Sequence, residues 1–150
     1  MIDTHSHLYA DEFKEDLQEV IQKSRDAGID KIFLPAIDSS SHEQMMDLAK
    51  ANPAYCIPMM GLHPCYVNNQ YEAELELVRE WLGRATFAAI GEVGLDFYHS
   101  TEYKVQQELA FQLQIELAIE KDLPLVIHSR SSMDECIKMI AAYGKGKCRG

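Results

Sequence analysis

Met1-Ile2-Asp3-Thr4-His5-Ser6-His7-Leu8 opens the chain, and the reading of this stretch decides the fold. Residues two apart in an extended segment point to the same side, so His5 and His7 present both imidazoles on one face. Asp3 lies one step further back on that face. Two imidazoles so placed can bind a borderline divalent metal. A lone His-x-His also arises by chance; its context adds the weight. Three later stretches each end an apolar run on a His or a Glu: Met60-Gly61-Leu62-His63-Pro64, Ala89-Ile90-Gly91-Glu92-Val93-Gly94 and Leu125-Val126-Ile127-His128-Ser129. Four strand ends carrying ligand-type side chains point to one shared site.

Outward from that stretch the chain alternates strand-like and helix-like segments. Strands are expected over residues 2–5, 31–36, 55–61, 87–91 and 124–128, the third weakened by Pro58. The first helix spans residues 11–27, with Phe13, Leu17, Val20, Ile21 and Ser24 on one face and Gly28 as its C-terminal cap. Ser41 and Gln44 form a capping box for the second, which stops before Pro53. Tyr71, Leu75, Val78 and Leu82 mark a third, ended by Gly83. A long helix over residues 101–121 places Val105, Leu109, Leu113 and Leu117 on its main apolar face, widened by Phe111, Ile115 and Ile119. Ser132 and Glu135 form a capping box for the last, which runs to Gly144.

Strict alternation with strands apolar on both sides demands a parallel sheet covered by helices. An open doubly wound sheet and a barrel both satisfy that demand. His5-Ser6-His7-Leu8-Tyr9-Ala10 contains no glycine, so the first strand lacks the glycine-rich phosphate loop of a dinucleotide-binding sheet. Ligand-type residues at the C-terminal ends of several strands match barrel enzymes instead. The expectation is an α/β fold of the parallel (β/α)8 TIM-barrel type with about the first five βα units. Residues 1–150 form a single domain. A whole barrel takes ~250 residues, so unpaired edge strands are expected.

Composition narrows the function. The chain is 47% hydrophobic and 25% charged, as in soluble globular proteins. No run approaches the ~20 apolar residues of a membrane span, and no basic segment leads an apolar one at the start. A cytoplasmic protein without membrane contact is expected. At a net charge of −10 no basic stripe for gripping a polyanion is visible, so contact with nucleic acid would be local and metal-centred. Lys145, Lys147 and Arg149 read as a solvated loop. Cys56, Cys65, Cys136 and Cys148 show no C-x-x-C spacing, which argues against a structural zinc knot. Cys56 and Cys136 read as buried free thiols.

On a barrel, His5, His7, Glu92 and His128 converge from the first, fourth and fifth strands. Three imidazoles and a carboxylate suit Zn²⁺, Mn²⁺ or a similar ion, and a carboxylate can bridge two. A metal pair would bind a phosphoryl oxygen and activate water. His63 and Arg130 stand behind these as substrate contacts, the guanidinium as a bidentate phosphate clamp. Ser129, Ser131 and Ser132 lie at a helix N-terminus, a natural anion seat. Asp96 is placed to orient a histidine or a water, and Phe97, Tyr98 and Tyr103 offer faces for a base. Structural readings stand beside these: Glu92 as a turn carboxylate, His63 as a loop histidine, Arg130 in a surface ion pair, Asp96 at a helix entry.

Asp3-Thr4-His5-Ser6-His7-Leu8, Gly61-Leu62-His63-Pro64, Gly91-Glu92-Val93-Gly94-Leu95-Asp96-Phe97-Tyr98 and Pro124-Leu125-Val126-Ile127-His128-Ser129-Arg130 together resemble the successive motifs of the TatD family of metal-dependent deoxyribonucleases. The resemblance is ordered and runs nearly end to end. It implies an amidohydrolase-like barrel that hydrolyses DNA phosphodiesters, in several members as a 3′-exonuclease, with Mg²⁺ or another divalent ion. It also implies that His5 and His7 bind one metal, Glu92 bridges two, and His128 binds the second. Family members continue for roughly three further βα units, which carry another metal-binding His and an Asp that activates the water. The expectation at this point is a shortened nuclease, or a chain that folds in part and retains metal without full turnover.

Two other functions compete. One is a different hydrolase on the same scaffold, acting on an amide, lactone or phosphoester. The absence of an evident carboxylated-lysine candidate after a strand tilts against its cyclic-amide branch. The other is a metal-binding fragment without catalysis.

Overall fold

The computed structural model describes residues 1–150, in which five parallel strands alternate with five α-helices. The strands are β1 (Ile2–Asp3), β2 (Lys31–Pro35), β3 (Cys56–Met59), β4 (Ile90–Asp96) and β5 (Leu125–Arg130). The helices are α1 (Leu17–Asp26), α2 (Ser39–Ala51), α3 (Tyr71–Arg84), α4 (Lys104–Lys121) and α5 (Met133–Ala141). β1, β2 and β3 pair in parallel, as do β4 and β5, and a parallel bridge from Met60 to Ile90 joins the two groups. Neighbour order therefore follows chain order without reversal. A doubly wound sheet reverses at a switch point, whereas a barrel wall does not. The fold is the barrel type expected, present as an arc of five strands.

Two clusters form most of the core. Leu34, Met45, Met60 and Leu117 lie in the first, and Ile90, Val93, Leu95, Phe111 and Ile115 in the second. Ile90 and Val93 are three residues apart yet share that second cluster, which strict two-residue alternation forbids. The β4–β5 register shifts between these two residues and absorbs the difference. Such an irregularity re-aims the side chain it contains. Here that side chain is Glu92, which faces the opposite side from Leu95.

Several local expectations change. β1 is only two residues long and Ile2 is 53% exposed, because the strand pairs on one side alone. The first helical segment splits into a 3-10 turn (Asp11–Phe13) and α1, while Gly28 takes the expected left-handed conformation after it. α2 starts at Ser39, because Asp38 and Ser41 form the capping box in place of Ser41 and Gln44. α3 runs through Gly83 to Arg84. The fourth strand begins at Ile90, so Glu92 lies inside β4 and not in a turn.

α4 departs most. Val105 and Leu109 are 62% and 44% exposed, whereas Ala110, Phe111, Gln114, Ile115 and Ala118 are buried. The core-facing stripe is thus rotated from the face read in the periodicity. Two glutamines explain the rotation. Gln114 accepts from the Leu62 N–H and donates to its carbonyl, at 2.7 and 3.2 Å. Gln107 does the same for Asp96, at 2.9 and 3.1 Å. A primary amide offers the donor and acceptor that a neighbouring strand would, so these backbone groups are satisfied where no strand pairs with them.

The last helix also starts differently. The buried Ser132 hydroxyl donates to the Leu95 carbonyl at 2.7 Å and makes no cap bond, so the expected Ser132–Glu135 box does not form. All four cysteines are free, with Cys56 and Cys136 buried as expected. The outer edge of β5 is open except where the Leu125 N–H meets the Arg149 carbonyl at 2.7 Å. No helix is long and apolar enough to cross a membrane.

Two substitutions test this architecture. Gly94 has φ +136°, and a Cβ there would run into the His128 carbonyl oxygen of β5. Gly94→Ala should therefore lower unfolding free energy by about 2 kcal/mol or more in denaturant titration. His42 on α2 is 2% exposed, packs edge-on against Trp81, and has no hydrogen-bond partner at Nε2. Burial lowers its pKa, outweighing the carboxylates of Glu74, Asp38 and Glu43. As pH falls below ~6.5 the unfolded chain takes up a proton that folded His42 refuses. Its share of stability therefore declines with falling pH, by at most about 1.4 kcal/mol per pH unit, down to its folded pKa. Melting curves at stepped pH should show this slope, and His42→Met should flatten it.

Candidate metal centre

His5 and His7 follow β1 in irregular backbone, yet their Nε2 atoms lie 3.2 Å apart. The local chemistry sets the ring of His7. The Tyr9 hydroxyl donates to the Pro35 carbonyl at 2.5 Å, so its oxygen accepts from His7 Nδ1–H at 2.7 Å. His7 Nε2 therefore carries its lone pair toward His5. Burial and then the neighbouring His5 lower the His7 pKa, which keeps that ring neutral. Asp3 is not part of this group. Its carboxylate accepts from the His5 N–H at 3.0 Å, a local turn bond that positions the histidine backbone.

Glu92 enters between the two sides of the site. Its Oε2 lies 3.1 Å from His5 Nε2 and 3.7 Å from His63 Nε2, and its Oε1 lies 3.1 Å from His128 Nδ1. The ligand atoms of His5, His7 and Glu92 all fall within 4.8 Å of one another. Ligands bound to zinc at ~2.0–2.1 Å in tetrahedral geometry stand about 3.3 Å apart, close to the 3.2 Å between His5 and His7 and the 3.1 Å between His5 and Glu92. Three such donors leave a fourth position for water or substrate. The donor set is rich in nitrogen, which suits Zn²⁺ or Mn²⁺ better than an all-oxygen cage would.

Asp96 stands behind His128. It is 1% exposed, and its Oδ2 lies 2.9 Å from His128 Nε2. Its Oδ1 accepts from the Tyr98 and His99 N–H groups, each at 3.0 Å. Burial alone would raise its pKa. The bonds from His99, His128, Cys65 and Tyr98 outweigh burial and hold the carboxyl well below the usual carboxylate range. An ionised carboxylate accepts only, so His128 Nε2 is the donor toward Asp96. Asp96 thus holds the His128 ring and the turn after β4 together, and it orients His128.

His63 caps a 3-10 turn (Pro64–Tyr66), with Nδ1 accepting from the Cys65 N–H at 3.1 Å. Burial, aided by His128 and His7 and opposed by Glu92, pushes its pKa down to about 4. The neutral ring therefore carries its proton on Nε2, which points into the site. Arg130 makes no carboxylate ion pair. Its guanidinium lies 3.9 Å over the ring of Tyr98, which is 63% exposed, and one N–H donates to His99 Nε2 at 2.9 Å. Ser132 is spent on the Leu95 carbonyl, so the serine-rich helix start is not a free anion seat.

The structure thus brings His5, His7, His63, Glu92, Asp96 and His128 into one cluster, with Arg130 at its rim. Sequence reading missed Tyr9, Cys65, His99 and the two clamping glutamines. The glutamines had a signal: amides seven apart, Gln107 and Gln114, inside an otherwise apolar helical stripe. Cys65 and His99 had none, because only the fold brings the turn after His63 against the one after Asp96.

Residues 2–150 match the family described as TatD related DNase. The chain is 29% identical over 143 residues to the 3'-5' ssDNA/RNA exonuclease TatD of Yersinia pseudotuberculosis, covering 95% of this chain and 55% of that protein. It is 28% identical over 144 residues to the uncharacterized metal-dependent hydrolase YabD of Bacillus subtilis, covering 96% and 56%. The crystal structure of YJJV, a TatD homolog from Escherichia coli K12, superposes with a TM-score of 0.82 at 30% identity, over 92% of this chain and 54% of that one. The chain spans about half the length of the curated relatives it matches. Its match to the family is nevertheless continuous from the first strand onward, and the chain belongs to the TatD-related DNase family.

Proposed function

We propose that this chain carries the metal-binding side of a phosphodiesterase site that acts on DNA, at single strands or ends. The observation that carries the reading is Glu92, whose two oxygens each lie 3.1 Å from an imidazole, His5 on one side and His128 on the other. A carboxylate so placed can serve one ion or join two. Glu92 is then the catalytic carboxylate, His5 and His7 hold one ion with it, and His128 serves the other side. A bound divalent ion supplies Lewis acidity toward a phosphoryl oxygen and makes water nucleophilic near neutral pH. Zn²⁺ or Mn²⁺ suits the donors, and Mg²⁺ is the ion that family resemblance implies.

The remaining residues of the chain do the positioning. Neutral His63 offers an Nε2–H donor to a phosphoryl oxygen without adding a charge that would repel the cation. Arg130, held flat on Tyr98, keeps N–H groups free for a phosphate at the rim. Tyr98 offers the outer face of its ring to a terminal base. With a net charge of −10, affinity for DNA must come from these local contacts and the bound cation, not from a basic surface. The relatives named as 3'-5' ssDNA/RNA exonucleases support 3′ ends as the point of attack. YabD, named only as a metal-dependent hydrolase, fits the broader reading of another hydrolase on this scaffold.

Two variants test the assignment. Metal-loaded protein should shorten 5′-labelled single-stranded DNA, and Glu92→Ala or a chelator should reduce the rate at least about 100-fold. Trimming that survives both would reject the reading. Asp96→Asn places an amide against His128 and removes the charge that sets its tautomer. Mn²⁺ affinity measured by calorimetry should fall about 10- to 100-fold. An unchanged affinity would show that Asp96 does not set that ring.

A further inference from the structure

Cys65 takes no part in the reading above, although its side chain faces the same end of the sheet. Its Sγ lies 3.3 Å from Asp96 Oδ2, and His99 Nε2 lies 4.0 Å from that same oxygen. The sulfur, the carboxylate oxygen and a ring nitrogen of His99 all fall within 4.8 Å of one another. They border a cavity of about 70 Å³ whose other walls include Ser100, Tyr103 and Gln107. That is more than one water occupies and enough for an ion with part of its hydration shell.

We infer that Cys65, Asp96 and His99 form a second cation site, separate from the His5–His7–Glu92 group, for a thiophilic divalent ion of the zinc class. Tetrahedral zinc, with bonds of ~2.3 Å to sulfur and ~2.0–2.2 Å to oxygen or nitrogen, sets its ligands about 3.2–3.7 Å apart. The sulfur–oxygen spacing of 3.3 Å already matches, and the exposed His99 ring places its nitrogen 4.0 Å from the oxygen and within 4.8 Å of the sulfur. The Asp96 carboxylate is fixed by backbone N–H groups at Oδ1, so the oxygen ligand Oδ2 is in place beforehand. His99 Nε2 accepts from Arg130, which has only donors, so this nitrogen bears a lone pair. Cys65 is exposed, which gives the ion a path in.

Binding forms metal–sulfur, metal–oxygen and metal–nitrogen bonds, releases the Cys65 thiol proton to solvent, and replaces Arg130 as the partner of His99. A sulfur ligand selects Zn²⁺, Co²⁺ or Cd²⁺ over Mg²⁺ and Ca²⁺, whereas the neighbouring nitrogen and oxygen group accepts a wider range. The assignment does not depend on DNA hydrolysis, because its readout is spectroscopic.

Co²⁺ titration of the reduced chain tests it. A sulfur-to-cobalt charge-transfer band together with intense tetrahedral visible bands is expected, saturating at one equivalent for that signal. Cys65→Ser should abolish the charge-transfer band while Co²⁺ still binds at the histidine group, and its melting curve reports whether the fold is kept. His99→Ala should retain sulfur ligation with affinity lower by at least about tenfold. Absence of the band in the native chain, its survival in Cys65→Ser, or unchanged affinity in His99→Ala would each overturn the three-ligand site.

Discussion

A single carboxylate between two imidazoles, Glu92 between His5 and His128, is the constraint that the site depends on. Nitrogen lone pairs and carboxylate oxygens about 3 Å apart repel unless a proton or a cation lies among them. Such a grouping is stable only when the scaffold holds it by other means. β4 does this through its register irregularity, which sends Ile90 and Val93 under α4 while Glu92 faces the imidazoles. Gly94 then lets β4 lie close against the His128 carbonyl, so the two strands that carry Glu92 and His128 are locked side by side.

The second level of support is hydrogen bonding to backbone and rings. Tyr9 orients His7, Asp96 orients His128, and the Cys65 N–H orients His63. In each case a neighbouring hydroxyl, carboxylate or backbone N–H fixes one ring nitrogen and so sets the direction of the ring. Gln114 and Gln107 extend that logic to the main chain. They satisfy the backbone of Leu62 and Asp96, next to or at the residues that line the site, from one face of α4. The same helix packs Phe111 and Ile115 into the core, so apolar burial of α4 and placement of the site are one event.

The wall itself remains an arc. β1 and β5 each pair on one side only, and Ile2, Val105 and Leu109 stay exposed next to well-packed neighbours. The site tolerates this because its contacts cross the arc: His5 follows β1, Glu92 lies in β4 and His128 in β5.

Much of this was legible in the chain itself. Alternating apolar runs and helical periodicities determined five βα units, and the missing glycine loop together with ligand-type residues at the strand ends favoured a barrel over a doubly wound sheet. The histidines and Glu92 stood out because ligand-type side chains repeatedly closed apolar runs. What local pattern could not decide was orientation. The face that α4 buries depends on amides reaching backbone groups 11 and 52 residues away. The proton positions on His7, His63 and His128 depend on partners as far as 32 residues distant in the chain. The approach of Cys65 to Asp96 joins residues 31 positions apart through two turns that periodicity does not describe. Sequence thus settled which residues sit at the same end of the sheet, because each closes an apolar run and that pattern is local. Tertiary packing alone settled which atoms of those residues meet, because hydrogen-bond direction is set by whatever the fold brings alongside.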